Sequence, residues 1–240
     1  TTTGGNFTVA DGAVLDLTGG STRTYVGNYT GTGAGTVRLG SGTLRVGAGG
    51  ATFNFGGNLF QWNGGTLTGP GALTNTGTLN VSGDALKTLN SLTLNNAGTV
   101  AWTGGGSLNG GNGAIFNNLA GGLFDAQNDA SFAWFGGVPP VFDNAGLFRK
   151  SAGAGTTTFS NVTFTNSGTV ESQAGVLNFA GGYTQSAGAT NLSGGNIAAT
   201  GTLNIQGGSL SGAGAITANV ANAGQVNPGG VGAAGVLTIA

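Results

Sequence analysis

Asp125 and Asp129 are the one pair of acids four residues apart in this chain, and Arg149 and Lys150 close the same stretch, DAQNDASFAWFGGVPPVFDNAGLFRK. Two carboxylates about 5 to 9 Å apart are what glycoside hydrolysis needs. Carboxylate oxygens also ligate Ca²⁺. Other chemistry is excluded by composition: with no Cys and no His there is no thiol nucleophile, imidazole base, disulfide or common zinc site. What remains is seven acids, six basic groups and the hydroxyls. No calcium-binding nonapeptide of the G-G-x-G-x-D type accompanies the acids. The expectation is a chain without catalytic residues, metal site or cofactor.

The same stretch, 125–150, gathers three of the seven acids, the third being Asp143, with a Pro pair and the aromatics Phe132, Trp134 and Phe135. It reads as an irregular insertion. Insertions in repeat proteins protrude as loops, and loops carry function. Phe132, Trp134 and Phe135 are therefore the candidate ligand-contact residues, the other reading being aromatics folded back as a cap over the core.

Around that segment runs a repeat. An apolar residue, Asn, Gly and a second apolar residue, at every second position, recur at Leu73-Asn75-Gly77-Leu79, Leu94-Asn96-Gly98-Val100, Phe142-Asn144-Gly146-Phe148, Phe164-Asn166-Gly168-Val170 and Val220-Asn222-Gly224-Val226. A sixth copy, Phe116-Asn118-Gly121-Leu123, fits with one residue inserted. The leading residues are 21, 22, 26, 22 and 56 apart, and a second phrase, GGTLTGPGAL, GGSLNGGNGAI and GGSLSGAGAI, precedes three copies. Periods of this size mean a solenoid. Within each unit GTLNV, TFTNS, VLNFA and TLNIQ alternate apolar with polar residues, the mark of strands buried on one face. The expected fold is all-β: a right-handed parallel β-helix (β-solenoid) of roughly 22 residues and three short strands per coil, about eleven coils stacked at about 4.8 Å.

On this reading the motif is a corner. Gly and Asn take positive φ without strain, and stacked corners bring Asn over Asn. Asn75, Asn96, Asn118, Asn144, Asn166 and Asn222 are expected to form a structural amide ladder. Residues 1–240 form one solenoid, with less regular coils over 1–58 and repeat-bearing coils over 59–240. From 170 to 220 the motif lapses, with Gln or Ala in place of Asn. Arg38 and Arg45 should face outward, and Asp11 and Asp16 should decorate turns. The pairs Thr22/Thr24, Thr30/Thr32, Thr66/Thr68, Thr74/Thr76, Thr163/Thr165 and Thr200/Thr202 invite an ice-binding reading, but their spacing does not follow the coil period, and outward Thr suits any strand.

Composition sets the partners. Gly is abundant, at 53 residues, but shows no three-residue period, and the apolar fraction of 38% is that of a folded chain. A net charge of −1 offers no field to nucleic acid or an anionic membrane, and no apolar run is long enough to span one. Charged residues make up only 5%, so little discourages strand edges from pairing. The opening at Thr1 without Met, and the close at VLTIA inside a strand, read as a piece of a longer protein. Partners are expected to be a second copy stacked head to tail, the remainder of a longer chain, or surface glycans and proteins.

NTGTLNVSG, NSGTVESQAGVLNFAGG and NAGQVNPGGVGAAGVLTIA resemble the glycine- and asparagine-rich repeats of secreted bacterial β-solenoid surface proteins, the autotransporter passengers and filamentous-haemagglutinin-type adhesins. The likeness covers about residues 60 to 240. It implies export, an extracellular or cell-surface location, and a non-enzymatic structural or adhesive role as stalk, adhesin or fibre. It carries over no active site. A carbohydrate-active β-helix enzyme is the alternative, and an ice-binding solenoid a more distant one.

Overall fold

The computed structural model describes residues 1–230, 232 and 234–240. Alternation acts as a period of two requires: in Thr36–Leu39, Val37 and Leu39 are buried while Thr36 and Arg38 turn outward. Among the described residues there are thirty strands, all paired in parallel with strands about one coil away. Thr22–Thr32, Thr43–Phe55 and Ser209–Thr217 run through a corner unbroken and serve two sides of the coil. The chain is a parallel β-solenoid of about 11 turns with about 22 residues per coil.

Each coil contributes to three ranks. The first runs from Gly5–Thr8 to Val220–Asn222, the second from Val14–Asp16 to Gln225–Pro228, and the third from 22–25 to Leu237–Ile239. Residues 1–58 belong to the same ranks. Stacking turns each inward position into a column of like side chains. Phe116, Phe142 and Phe164 lie in one column with ring centroids 4.9 Å apart at each step and planes within 7° of parallel. Phe124 lies over Phe148, and Phe132 and Phe159 meet at 6.0 Å. Phe132 is thus a core residue, not a ligand contact: it faces inward between Leu108 and Phe159.

The Asn-Gly motif lies at the corner from the first rank to the second. Asn75 Nδ2 donates to Asn96 Oδ1 at 2.8 Å, Asn96 to Asn118 at 2.8 Å, Asn118 to Asn144 at 2.7 Å and Asn144 to Asn166 at 2.8 Å. Each amide also donates to a carbonyl at the start of the second-rank strand one coil on, those of Thr99, Leu123, Leu147 and Thr169 at 2.9 to 3.0 Å. Where the motif lapses, Gln185 continues the ladder, accepting from Asn166 at 3.2 Å and donating to Gly207 O at 2.8 Å. Ile205 then ends it.

Two expectations change here. Asn222 is not a rung: it pairs in register with Ile205, is exposed, and its amide turns back to Gly224 O at 2.9 Å. An amide beside an apolar neighbour has no partner inside, so it bonds locally. The motif glycines are also required for a different reason. Gly77, Gly98, Gly146 and Gly168 do not have positive φ; a Cβ on any of them would lie 2.1 to 2.3 Å from the carbonyl oxygen of Phe55, Gly77, Gly122 or Gly146 in the coil before. Close main-chain approach, not a left-handed turn, excludes a side chain. This also resolves the inserted copy, whose equivalent glycine is Gly122; Gly121 has φ +85° and open space around it. Further along the same corner Gly188 (φ +73°) and Gly208 (φ +74°) combine both features, a Cβ there lying 1.8 and 2.1 Å from Gly168 O and Gly188 O. The non-glycine residues with positive φ, Ser91, Asn112 and Asn161, all turn the corner from the third rank to the first.

Replacing Asn96 by Ala should lower stability in urea denaturation by about 1 to 3 kcal/mol, because it removes the side-chain acceptor of the Asn75 amide and leaves the buried Asn118 Oδ1 without its donor. Asn222→Ala should stay within about 0.5 kcal/mol. Equal losses at the two positions would remove the distinction between a rung and a surface amide.

Candidate functional site

Stretch 125–150 is not one protruding insertion. Leu123–Ala126, Ser131–Trp134, Val141–Asn144 and Leu147–Lys150 are ordinary strands of the three ranks. The added length sits at 135–140, between the third-rank and first-rank strands, where the previous coil uses only 112–114. This loop lies over glycines of that coil. A Cβ on Gly110 would meet Pro140 at 2.7 Å, and one on Gly111 would meet the Phe135 ring at 2.7 Å. Gly110 and Gly111 seat the loop because they have no side chains. Trp134 (40% exposed), Phe135 (43%) and Val138 (66%) remain open to solvent, forming the exposed apolar patch of this region.

The acids do not come together. Asp125 is an outward residue of the second rank, buried by its neighbours; its carboxylate accepts from Arg149 Nη2 at 2.8 Å, Gln127 Nε2 at 2.9 Å and Ser151 Oγ at 2.6 Å. Asp129 stands at the corner leading to the third rank and accepts from Lys150 Nζ at 2.8 Å. Asp143 faces out on the first rank, bonded to the Thr165 hydroxyl one coil on. Each carboxylate of the sequence pair therefore has its own cation. Burial pushes the Asp125 carboxyl up, but the hydrogen bonds from Arg149, Ser151 and Gln127 outweigh it and hold it below the ordinary range. The Lys150 hydrogen bond similarly lowers Asp129.

The second rank turns these pairs into a column, running Asp16, Arg38, Gln61, Asn80, Ala101, Asp125, Arg149, Glu171 and Asn191 in register. Arg38 pairs with Asp16 at 3.1 Å, as Arg149 pairs with Asp125. Arg38 does face outward, as expected of it, but is tied to a neighbouring coil. An open groove of about 700 Å³ runs beside the N-terminal part of this column, lined by Asp16, Arg38, Ser41, Gln61, Asn63 and Asp84. Two of its amides already meet through Ser82, whose Oγ donates to Gln61 Oε1 at 2.6 Å and accepts from Asn63 Nδ2 at 2.9 Å, whereas the buried Nε of Arg38 has no hydrogen-bond partner.

Two functional groups escape sequence reasoning. Lys87 and Lys150 are fully buried, in the interior at the corner from the second rank to the third. Lys87 Nζ donates to Gly83 O at 2.8 Å and Ala85 O at 2.9 Å. Burial lowers its pKa, with Asp84 acting in the opposite direction. Lys150 Nζ meets Asn128 O at 2.6 Å, Ala152 O at 3.0 Å, Thr157 Oγ1 at 3.1 Å and Asp129. Each ammonium gathers turn carbonyls, of which Gly83 O also accepts from Gly106 N at 3.1 Å and Asn128 O from the Thr157 hydroxyl. The signal was phase: Lys87 is two residues from Leu89 and Lys150 two from Phe148, so each shares an inward face.

Among the described residues no group of three His, Cys, Asp or Glu side chains is placed to hold a metal ion, and no helix is long and apolar enough to cross a membrane. Compared with known proteins, the chain matches no family model, no curated protein and no solved structure. What the geometry defines is the class: a parallel β-solenoid repeat protein.

Because the Asp125 carboxyl is held below its ordinary value, its contribution to stability is complete above about pH 4 and disappears as pH falls through the lowered folded value. Asp125→Asn should therefore lose less stability than the parent between about pH 5 and about pH 2. Parallel pH profiles in urea would contradict the assignment.

Proposed function

We propose that this chain is a non-enzymatic structural or adhesive rod of a bacterial cell surface, built to continue coil upon coil, with further copies joining end to end into filaments. The observation that carries this reading is the parallel register maintained through all eleven strand segments of each rank. A rod of stacked coils transmits load along hydrogen bonds that all run with its axis. The resemblance of the Asn-Gly repeats to exported bacterial adhesins supports the location. The pairing of Asp125 with Arg149 and Asp129 with Lys150 gives a two-carboxylate carbohydrate enzyme no support.

Within this reading Trp134, Phe135 and Val138 are the adhesive contact, because they are exposed apolar side chains held on a rigid corner. A second reading has one observation in its favour. Thr22, Thr43, Thr66 and Thr88 stack at the coil period on the third rank, although the Thr pairs as a set do not follow that period. Such a column suits ice binding, but Arg45, exposed between Thr24 and Thr68 in the adjoining column, breaks the flat face. Thermal hysteresis of the purified protein would favour the ice-binding reading.

Cells producing the protein should bear it on their surface when labelled with antibody, and the purified rod should bind a subset of arrayed glycans or host-surface proteins. Trp134→Ala should weaken that binding roughly tenfold or more, as loss of an aromatic anchor does, with the melting temperature little changed. A variant that melts early and binds normally once folded would make Trp134 a cap over the core. Retention inside the cell would overturn the surface reading.

A further inference from the structure

We propose that the open groove beside Asp16 and Arg38 is a binding site for a neutral, hydroxyl-rich oligosaccharide of about three sugar units, the length that spans four coils. The site is separate from the Trp134 corner and does not depend on where the protein resides. Its volume of about 700 Å³ falls within the roughly 300 to 1,000 Å³ of small-molecule sites. Four successive coils supply its lining, through 14–16, 36–41, 61–63 and 83–85. The groove therefore runs with the rod axis and opens to the side, so coils added at either end would lengthen it without covering it.

Its side chains are held in place and keep groups free for a ligand. Arg38 lies against the bare backbone of its own corner: a Cβ on Gly40 would be 2.9 Å from Arg38 Nε, which leaves that nitrogen buried and without a partner. The bond from Nη2 to Asp16 Oδ2 at 3.1 Å fixes the plane of the guanidinium, whose Nη1 makes no hydrogen bond among the described residues; the side chain is 43% exposed. Asp16 is anchored in turn by the N–H groups of Thr18 and Gly19 at 3.0 and 2.9 Å. One coil on, Gln61 donates to Asn58 O at 2.7 Å, and Ser82 holds both Gln61 and the amide nitrogen of Asn63, whose Oδ1 stays unbonded. Asp84 is exposed and accepts from Gly105 N at 3.2 Å through one oxygen, leaving the other open. A donor, an amide acceptor and a carboxylate are thus positioned in advance, which lowers the ordering cost of binding.

The same groups select the ligand. Two carboxylates to one guanidinium disfavour an anion, and with Asp16 engaged by Arg38 no pair of free acids is left for a cation. Among the described residues no aromatic ring lines the groove, which leaves out an apolar ligand. A neutral ligand matched to both donors and acceptors carries hydroxyls. Pairs of adjacent hydroxyls fit the fork of a guanidinium and the two edges of a carboxylate or amide. The coil step of about 4.8 Å is close to the length of one sugar unit, whereas an extended peptide rises about 3.3 Å per residue and does not keep step with the coils.

Saturation-transfer NMR on the 240-residue protein tests the site, with the neutral trisaccharides of β-1,4-linked glucose, mannose and N-acetylglucosamine as probes. At least one should bind, with an affinity that added salt does not change, since no ligand charge is there to screen. Asn63→Ala should weaken binding roughly fivefold to tenfold by removing one acceptor. Arg38→Lys keeps a cation for Asp16 but loses the fork, and should weaken binding at least about tenfold with melting little changed. Trp134→Ala should leave trisaccharide binding as it is, so that the groove and the Trp134 contact are read separately. Binding that survives Asn63→Ala and Arg38→Lys alike would overturn the site. Binding confined to charged probes, the trimers of galacturonate or glucosamine, would overturn the neutral class, and no binding of any neutral probe at millimolar concentration would overturn the proposal while leaving the surface reading standing.

Discussion

The structure depends on one close approach, repeated where the first rank turns into the second. There the main chains of successive coils come so near that the turn residue cannot carry a Cβ: one on Gly98 would lie 2.1 Å from Gly77 O. The same carbonyl accepts the Thr99 N–H at 2.8 Å, and Gly98 O in turn accepts from Leu123 at 2.9 Å. Only a main chain stripped of side chains allows this contact, and it draws the adjoining Asn amide inside. Once buried, an amide must find partners for both hydrogens and its oxygen. Its own equivalents in the coils before and after provide them. Glycine contact and amide ladder are thus one feature, and together they hold the register that a strand with period two would otherwise be free to slip.

The remaining sides accommodate what this corner does not. Extra length enters at 135–140, between the third and first ranks, over the bare backbone of Gly110 and Gly111. Charge is accommodated at the second rank and the corner after it. There Asp16, Asp125 and Asp129 each meet a cation of a neighbouring coil, and Lys87 and Lys150 gather turn carbonyls inside. Glycines again make room: Gly153, at φ +87°, lies where a Cβ would be 2.3 Å from Asp129 Oδ1 and 2.8 Å from Lys150 Nζ. A chain with so few charged residues uses several of them to join coils, which leaves an outer surface of hydroxyls, amides and scattered apolar groups. Such a surface suits contacts made by shape.

Much of the fold was legible because periodicity acts at every level. Alternation gave the strands, the spacing of Asn gave the coil, and five of the six motif asparagines form the ladder. Asn222 misled because a motif records local sequence, whereas a rung needs an amide in the coil beneath, and Ile205 is there. Gln185 stands in a degenerate copy where Gln replaces Asn: one methylene longer, it still accepts from Asn166 but donates to the carbonyls of Gly207 and Ser209 rather than to a further rung. Phe132 and Trp134 stand two residues apart with one nominal phase, yet only the first is buried. The strand of the next coil turns away at Asn161, whose φ is +54°, before it can cover Trp134. Where a neighbouring coil turns is a tertiary fact that a single strand does not carry.

The central claim is that close main-chain contact, not turn conformation, fixes the corner, and a pair of glycine substitutions separates the two. Gly98 has an ordinary φ but no room, whereas Gly121 has φ +85° and nothing within 4 Å of the place a Cβ would take. Equilibrium urea denaturation of Gly98→Ala and Gly121→Ala is the direct measurement. Gly121→Ala should cost about 1 to 2 kcal/mol, the strain of a left-handed Ala, and Gly98→Ala should cost more because the coils must part to admit the methyl. A Gly98→Ala protein as stable as the parent, or less affected than Gly121→Ala, would contradict the account.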